Sequence, residues 1–139
     1  MKINRKAEEI ISTCADLGID AKAIDASSFE IVKQVIFAKF RPEKTSNHYS
    51  IGGDSDVLIA EDHEFSFSNS FPSIEGFIFF GEDNYEGAIF LKDISLLSFV
   101  MNNCYGMEYF VSDENATFLV SVNWYVINLQ GEAKNWVLK

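Results

Sequence analysis

Residues 75–93 read EGFIFFGEDNYEGAIFLKD, in which two apolar runs flank an acidic turn, and this stretch decides the fold. The runs, 76–80 and 88–91, are short and rich in Ile and Phe, which is typical of paired strands. Gly81 and Gly87 give the turn the backbone freedom that a loop longer than two residues needs. The stretch therefore predicts a β-hairpin.

Two amphipathic helices are predicted before this hairpin. Over residues 4–18, apolar side chains recur at spacings of three and four, as they do on one face of a helix. A second helix is expected to begin at Ser27 or Ser28, where a serine can cap it, and to end before Pro42.

Weaker patterns lie between these elements and near the end of the chain. Residues 19–26 are expected to be a link, 41–55 a loop and 65–67 a further short strand. The tail is expected to dock through Trp136 and Val137.

The second half predicts more strands and one later helix. Asp93 is placed to cap a helix over 94–105. The apolar run 118–129 is too long for one strand, so we expect it to bend near Asn123 and Trp124. Together these patterns predict a single α+β domain over residues 1–139. The two N-terminal helices and the later helix are expected to pack on one face of an antiparallel sheet of four to six strands. The strands are expected at 56–60, 76–80, 88–92, 107–112 and 118–129.

Charge limits the kinds of partner. The chain has 21 acidic and 11 basic side chains, a formal net charge of −10 at pH 7. This charge repels nucleic acid and anionic lipid and attracts a basic partner, although it is also what keeps many proteins soluble. No apolar run is long enough for a membrane span, and no apolar run follows the basic start. We therefore expect a cytoplasmic protein that binds neither nucleic acid nor membrane.

Neither a metal site nor a catalytic thiol is predicted. His48 and His63 lie in separate segments without zinc-ligand spacing, and the acidic turns do not match a calcium loop. Cys14 and Cys104 fall at apolar helix positions, so we expect free, buried thiols. The sequence predicts no cofactor.

The best candidate for a binding surface is the turn of the hairpin. Glu82, Asp83 and Glu86 surround Tyr85, which combines negative charge with an aromatic anchor. Either this turn meets a basic partner, or it is a solvated loop whose tyrosine packs over its own hairpin. Two further carboxylates are predicted to assist it, those of Asp54 and Asp56.

The second half of the chain resembles a group of small bacterial proteins, some of which look like immunity proteins of contact-dependent inhibition and related polymorphic toxin systems. The resemblance covers about residues 76–132 and is carried by FFGEDNYEG, the helix that follows Asp93, MEYFVSD and NWYVINLQGE. The family's E-Y-[YF]-x-x-D strand is matched by Glu108, Tyr109, Phe110 and Asp113. Asn123, Trp124 and Tyr125 stand where histidine is expected, which counts against a histidine-dependent activity.

The resemblance implies a non-enzymatic protein that binds and neutralises a cognate toxin domain. From the charge we expect this partner to be basic, and we expect the chain itself to be a monomer or weak homodimer. Two alternatives remain open at this point. One is a small enzyme with an acidic cleft, which predicts carboxylates close together in a concave site. The other is a homo-oligomeric ligand-binding or structural protein, which predicts a contiguous exposed apolar patch.

Overall fold

The structure, a computed structural model, describes residues 5–40, 42–45, 48–51, 56–80, 87–104 and 107–136. Of residues 42–45, 48–51 and 56 it describes the backbone alone. The fold is α+β with an antiparallel sheet. Its helices are α1 (Arg5–Leu17), α2 (Ala26–Phe40), α3 (Ala60–His63) and α4 (Leu97–Asn102). Its strands are β1 (Ala21–Ile24), β2 (Pro42–Thr45), β3 (His48–Ile51), β4 (Asp56–Ile59), β5 (Gly76–Phe79), β6 (Ala88–Leu91), β7 (Tyr109–Ser112), β8 (Phe118–Val122) and β9 (Val126–Gly131).

The main sheet has seven strands in the order β1-β6-β5-β7-β8-β9-β4. The predicted pairing of the two apolar runs is confirmed, because Phe77 lies opposite Phe90 and Ile78 opposite Ile89. The predicted counts of four to six strands and three helices are both too low, and the extra helix is the short α3. The extra strand is β1, whose short AKAI sequence lies between two helices and pairs with β6.

A second, two-stranded sheet occupies a region that we predicted to be a loop. Strands β2 and β3 pair antiparallel within residues 41–55. Their residues, PEKT and HYSI, include Pro, Lys and Ser and show no clear apolar alternation. A short pair of strands with so weak a pattern is therefore easily mistaken for a loop.

The helices lie on both faces of the main sheet, so the prediction that they share one face is wrong. Alternate residues of a strand point to opposite faces. Ile78 belongs to the core cluster that contains residues of α1 and α4, and we call this side the α1 face. Phe79 belongs to the cluster that contains Phe29 and Ile36 of α2, and we call that side the α2 face. Central strands β7 and β8 are buried at every position because both of their faces are covered.

The first helix agrees with its prediction, whereas the cap of the second does not. In α1 the buried positions are Ala7, Ile10 and Cys14, as the apolar spacing requires. In α2 the cap is Asp25, whose carboxylate accepts a hydrogen bond from the Ser28 backbone N–H at 2.8 Å. Neither predicted serine fills that role, because the helix begins at Ala26, before both of them.

Two elements between the strands differ from their predictions. Residues 67–70 form a 3₁₀ turn in place of the strand predicted at 65–67. Asp93 does act as a cap, since its carboxylate accepts from the Ser95 backbone N–H at 3.0 Å. The helix after it is divided into a 3₁₀ turn at 94–96 and α4.

No helix among the described residues is both long and apolar enough to cross a membrane.

The apolar run near the C-terminus is divided as predicted. Asn123 forms the bend between β8 and β9, where its side-chain oxygen accepts from the backbone N–H groups of Tyr125 and Val126, each at 2.8 Å. The predicted docking of the tail is confirmed for Trp136, whose ring centroid lies 4.8 Å from that of Phe118. Val137 lies outside the described residues.

Candidate functional site

Most of the predicted partner-binding residues fall outside the part of the chain that the structure describes. This applies to Glu82, Asp83, Tyr85, Glu86 and Asp54. The backbone of Asp56 begins β4, and its side chain is not described. The predicted binding role of these six residues therefore stays a prediction.

A cleft of about 460 Å³ opens at the end of the β5–β6 pair where Gly76 meets Leu91. It lies on the α2 face, and Phe77 and Phe90 are among its lining residues. Glu75, Asp113 and Glu114 also line it. Aromatic and carboxylate groups thus share one concavity.

The register of the sheet explains which side chains form the floor of the cleft. Lys22 lies opposite Phe90, Phe90 opposite Phe77, and Phe77 opposite Ser112. Directly opposed residues share a face, so these side chains form one row across four strands. The Phe77 and Phe90 rings meet edge to face, with centroids 5.8 Å apart. Phe77 also contacts Phe29 of α2, at a centroid distance of 5.5 Å, which anchors the floor to the helix.

Two closely packed backbone segments position the acidic residues at the rim of the cleft. Asp113 accepts hydrogen bonds from the backbone N–H and the hydroxyl of Thr117, at 2.7 and 2.6 Å, which order the turn that carries Glu114. Glu75 precedes Gly76, where an added Cβ would lie 2.6 Å from Ile94 Cγ2. Close packing at Gly76 therefore fixes the position from which Glu75 projects.

Basic side chains lie beyond Phe90. A second hollow of about 240 Å³ shares Phe90 with the cleft and is lined also by Asp20, Lys22 and Lys92. Lys22 Nζ stands 5.5 Å from the centroid of the Phe90 ring. The carboxylates of the cleft are therefore on one side of the aromatic floor and the two lysines on the other.

This arrangement suits the binding of a cation. A guanidinium or ammonium group gains from contact with an aromatic ring, and a guanidinium also forms bidentate hydrogen bonds with a carboxylate. Within the described residues, no group of three or more His, Cys, Asp or Glu side chains is placed to hold a metal ion. A guanidinium or ammonium group is thus chemically complementary to the aromatic and carboxylate groups of the cleft.

A buried set of titratable groups lies on the α1 face. Burial, followed by the charge of Cys104, raises the pKa of Cys14 to about 11. Burial also raises the pKa of Cys104, whose thiol lies 3.4 Å from the Thr13 hydroxyl. Both thiols are free, although Cys104 is only half-buried and not fully buried as predicted. Thiols that stay protonated at neutral pH are poor nucleophiles.

Tyr109 belongs to the same set. It is fully buried, and its hydroxyl has no hydrogen-bond partner among the described residues. Burial, followed by the charges of Glu64 and Cys104, raises its pKa. A tyrosine kept neutral in this way contributes its ring to the core.

Sequence reasoning missed the residues of the cleft. Phe77 and Phe90 were identified only as strand residues, and Asp113 only as part of the family resemblance. The sequence does contain a usable signal: Glu75 stands directly before β5, and Asp113 and Glu114 directly follow β7. The pairing of β5 with β7 brings these two strand ends together. That signal becomes specific only when the strand order is known.

Comparisons with known proteins give no family for this chain. No protein-family model matches the sequence, and no match was found among curated proteins or among solved structures.

Proposed function

We propose that this chain is a non-enzymatic, immunity-type protein that binds a basic toxin domain and neutralises it. The observation that carries the proposal is the cleft in which Glu75, Asp113 and Glu114 line one side of an aromatic floor. A concavity with three carboxylates beside two phenyl rings is complementary to an Arg or Lys side chain of a partner.

The charge of the whole chain supports the same partner chemistry. A net charge of −10 produces a field that draws a basic protein toward the surface and raises the association rate. Short-range contacts in the cleft then set how long the complex lasts. On this proposal, the field selects a basic partner and the cleft holds one of its cationic side chains.

The predicted turn adds a second contact in this proposal. Glu82, Asp83, Tyr85 and Glu86 repeat the combination of acidic groups with an aromatic ring. The contribution of this turn stays a prediction from the sequence, and Tyr85→Ala tests it separately from the cleft. Protection is proposed to take place in the cytoplasm, with the chain acting as a monomer or weak homodimer.

A growth assay tests the neutralising role. The neighbouring reading frames are first searched for a secreted protein with a toxin domain, and that domain is expressed from an inducible promoter, with or without this chain. Wild-type chain is expected to restore growth, and Glu75→Lys/Glu114→Lys to restore it poorly at equal protein level.

The matched control is Glu8→Lys/Asp16→Lys, because both side chains are exposed on α1 and the change in net charge is the same. This control is expected to protect like wild type. The proposal fails if wild-type chain gives no protection. If cleft and control variants protect equally, the cleft is not the contact.

A further inference from the structure

The main sheet ends in two edge strands, and these edges differ in character. Among the described strands, β1 and β4 each have one neighbour. Edge strands present unpaired backbone groups, and proteins commonly guard them with charged side chains, Lys above all. The β1 edge carries Lys22. On β4, by contrast, the alternate positions whose side chains point to the α2 face are occupied by Val57 and Ile59.

The register shows which backbone groups of β4 are available. The Ala60 N–H donates to the Tyr125 carbonyl at 2.9 Å, so the Ala60–Tyr125 pair is a hydrogen-bonded one. Bonded and non-bonded pairs alternate along an antiparallel ladder. The pairs Val57–Asn128 and Ile59–Val126 are therefore non-bonded. Hence the N–H and C=O groups of Val57 and the N–H group of Ile59 point away from β9, toward the side of β4 that has no neighbour among the described strands. The Ile59 carbonyl lies at the N-cap of α3 and accepts from that helix.

The side chains at this edge are apolar and accessible. Val57 is 54% exposed and Ile59 is 58% exposed, and both point to the α2 face. At the end of the strand, Trp124 is 52% and Tyr125 is 65% exposed. An edge with outward backbone groups, alternating apolar side chains and two aromatic rings has the features of a strand-addition surface.

We propose that β4 docks an extended segment of a partner protein, which joins the sheet as an additional strand, has apolar side chains at alternate positions and carries Lys or Arg at its ends. Glu61 and Asp62 are exposed and lie in α3, which directly follows the strand. Together with the net charge of −10, they favour a basic segment over a neutral or acidic one.

A second copy of this chain fits the edge less well. Each copy brings a charge of −10, so two copies repel each other. The four exposed side chains offer on the order of 400 Å² per copy, and two copies together fall short of the roughly 1,200 Å² typical of a stable interface. A basic partner segment avoids the charge repulsion, because the net charge of −10 attracts it.

Peptide titration monitored by NMR amide exchange tests this proposal. The probe is a blocked peptide that alternates Val and Thr at its centre and carries two Lys at each end. We expect it to slow exchange at the amides of Val57 and Ile59 and to bind about tenfold more weakly when salt is raised from about 0.05 to about 0.3 M. The same peptide with Glu in place of Lys is expected to bind at least about tenfold more weakly.

Two matched variants locate the surface. Ile59→Lys is expected to weaken peptide binding at least about tenfold, because it places a cation on the docking edge. Ile31→Lys is the control, since Ile31 is 75% exposed and lies on α2, outside β4; it is expected to bind like wild type. Circular dichroism of both variants checks that they are folded.

Three outcomes would overturn the proposal: no slowing of exchange at Val57 and Ile59 at saturating peptide, equal peptide affinity for Ile59→Lys and Ile31→Lys, or a peptide-free dimer that Ile59→Lys abolishes. The last outcome would assign the edge to a second copy. The proposal is independent of the neutralising role, because Glu75→Lys/Glu114→Lys changes the cleft and leaves β4 intact. A chain that fails to neutralise a toxin and still binds the peptide would refute the proposed function alone.

Discussion

Ser68 and Ser98 exchange a reciprocal pair of hydrogen bonds in the core. The Ser68 N–H donates to Ser98 Oγ at 2.9 Å, and the Ser98 N–H donates to Ser68 Oγ at 2.8 Å. Both residues are fully buried. The pair fastens the 3₁₀ turn at 67–70 to α4, and each hydroxyl satisfies a backbone donor that has no access to water.

Removing one hydroxyl of this pair should be costly. Ser98→Ala leaves the Ser68 N–H buried without its acceptor, so we expect a loss of about 1–3 kcal/mol in the free energy of unfolding. Urea unfolding measures it, with the exposed Ser12→Ala as control, expected within about 0.5 kcal/mol of wild type. In a double-mutant cycle with Ser68→Ala the losses should not add. Additive losses would show that the two hydroxyls act independently.

Two glycines with similar φ provide a second stability test. Gly131 has φ 69° and ψ −142°, and an added Cβ would lie 2.6 Å from the Thr117 carbonyl oxygen. Gly18 has φ 72° with open space around it. We expect Gly18→Ala to cost about 1–2 kcal/mol from its left-handed backbone alone. Gly131→Ala should cost more, because steric overlap adds to a backbone conformation almost exclusive to glycine. Equal thermal shifts for the two variants would contradict this account.

Local patterns were sufficient to predict part of the fold. The β5–β6 pairing, the buried face of α1, the Asp93 cap and the division of 118–129 all depend on neighbouring residues, and all are found. Strand β1 was missed because its AKAI sequence has no strong β pattern and is stabilised by pairing with β6. The placement of α2 was missed for a related reason. Phe77 and Phe79 give the sheet a second apolar face, and only the assembled strands show that a helix must cover it.

The cleft could not be predicted from the sequence for the same reason, because only the assembled strands bring its residues together. Phe77 and Asp113 are distant in sequence, and they meet because β5 pairs with β7. The acidic turn at 81–87 was visible because its residues are contiguous. A site built from one loop is therefore easier to predict from sequence than a site built from several strands.

Asp93 should make stability depend on acid pH. Burial raises the pKa of its carboxyl, but hydrogen bonds from Ser95 and Ser73 outweigh burial, and the net shift is downward. A lowered pKa in the folded state means that the stabilisation is complete above the unfolded value of about 3.9 and is lost as pH falls through the folded value. We expect Asp93→Ala to cost about 0.5–2 kcal/mol at about pH 7, as loss of a helix cap does, and less at about pH 3.

Urea unfolding at both pH values checks this prediction. Asp16→Ala serves as the control, because Asp16 is exposed on α1. A cost for Asp93→Ala that is the same at both pH values would mean that the ionised carboxylate is not what stabilises the turn.

The two thiols should react slowly and in a fixed order. Both have a raised pKa, and that of Cys14 is about 11, so little thiolate is present at neutral pH. We expect iodoacetamide to modify Cys104 first, because it is half-buried whereas Cys14 is fully buried. Mass spectrometry of timed samples at about pH 7 measures the order, and both should react rapidly in urea. Faster modification of Cys14 would contradict the packing of α1 against α4.

The central claim is that the cleft of Glu75, Asp113 and Glu114 holds a cationic side chain of a basic partner. Calorimetric titration of the proposed toxin partner, catalytically inactivated, tests it most directly. Wild type, Glu75→Lys/Glu114→Lys and Glu8→Lys/Asp16→Lys are compared at low and high salt. We expect the cleft variant to bind at least about tenfold more weakly than the control variant, although both have the same net charge. Equal affinity of the two variants would contradict the claim, because the binding would then follow the overall charge and not the cleft.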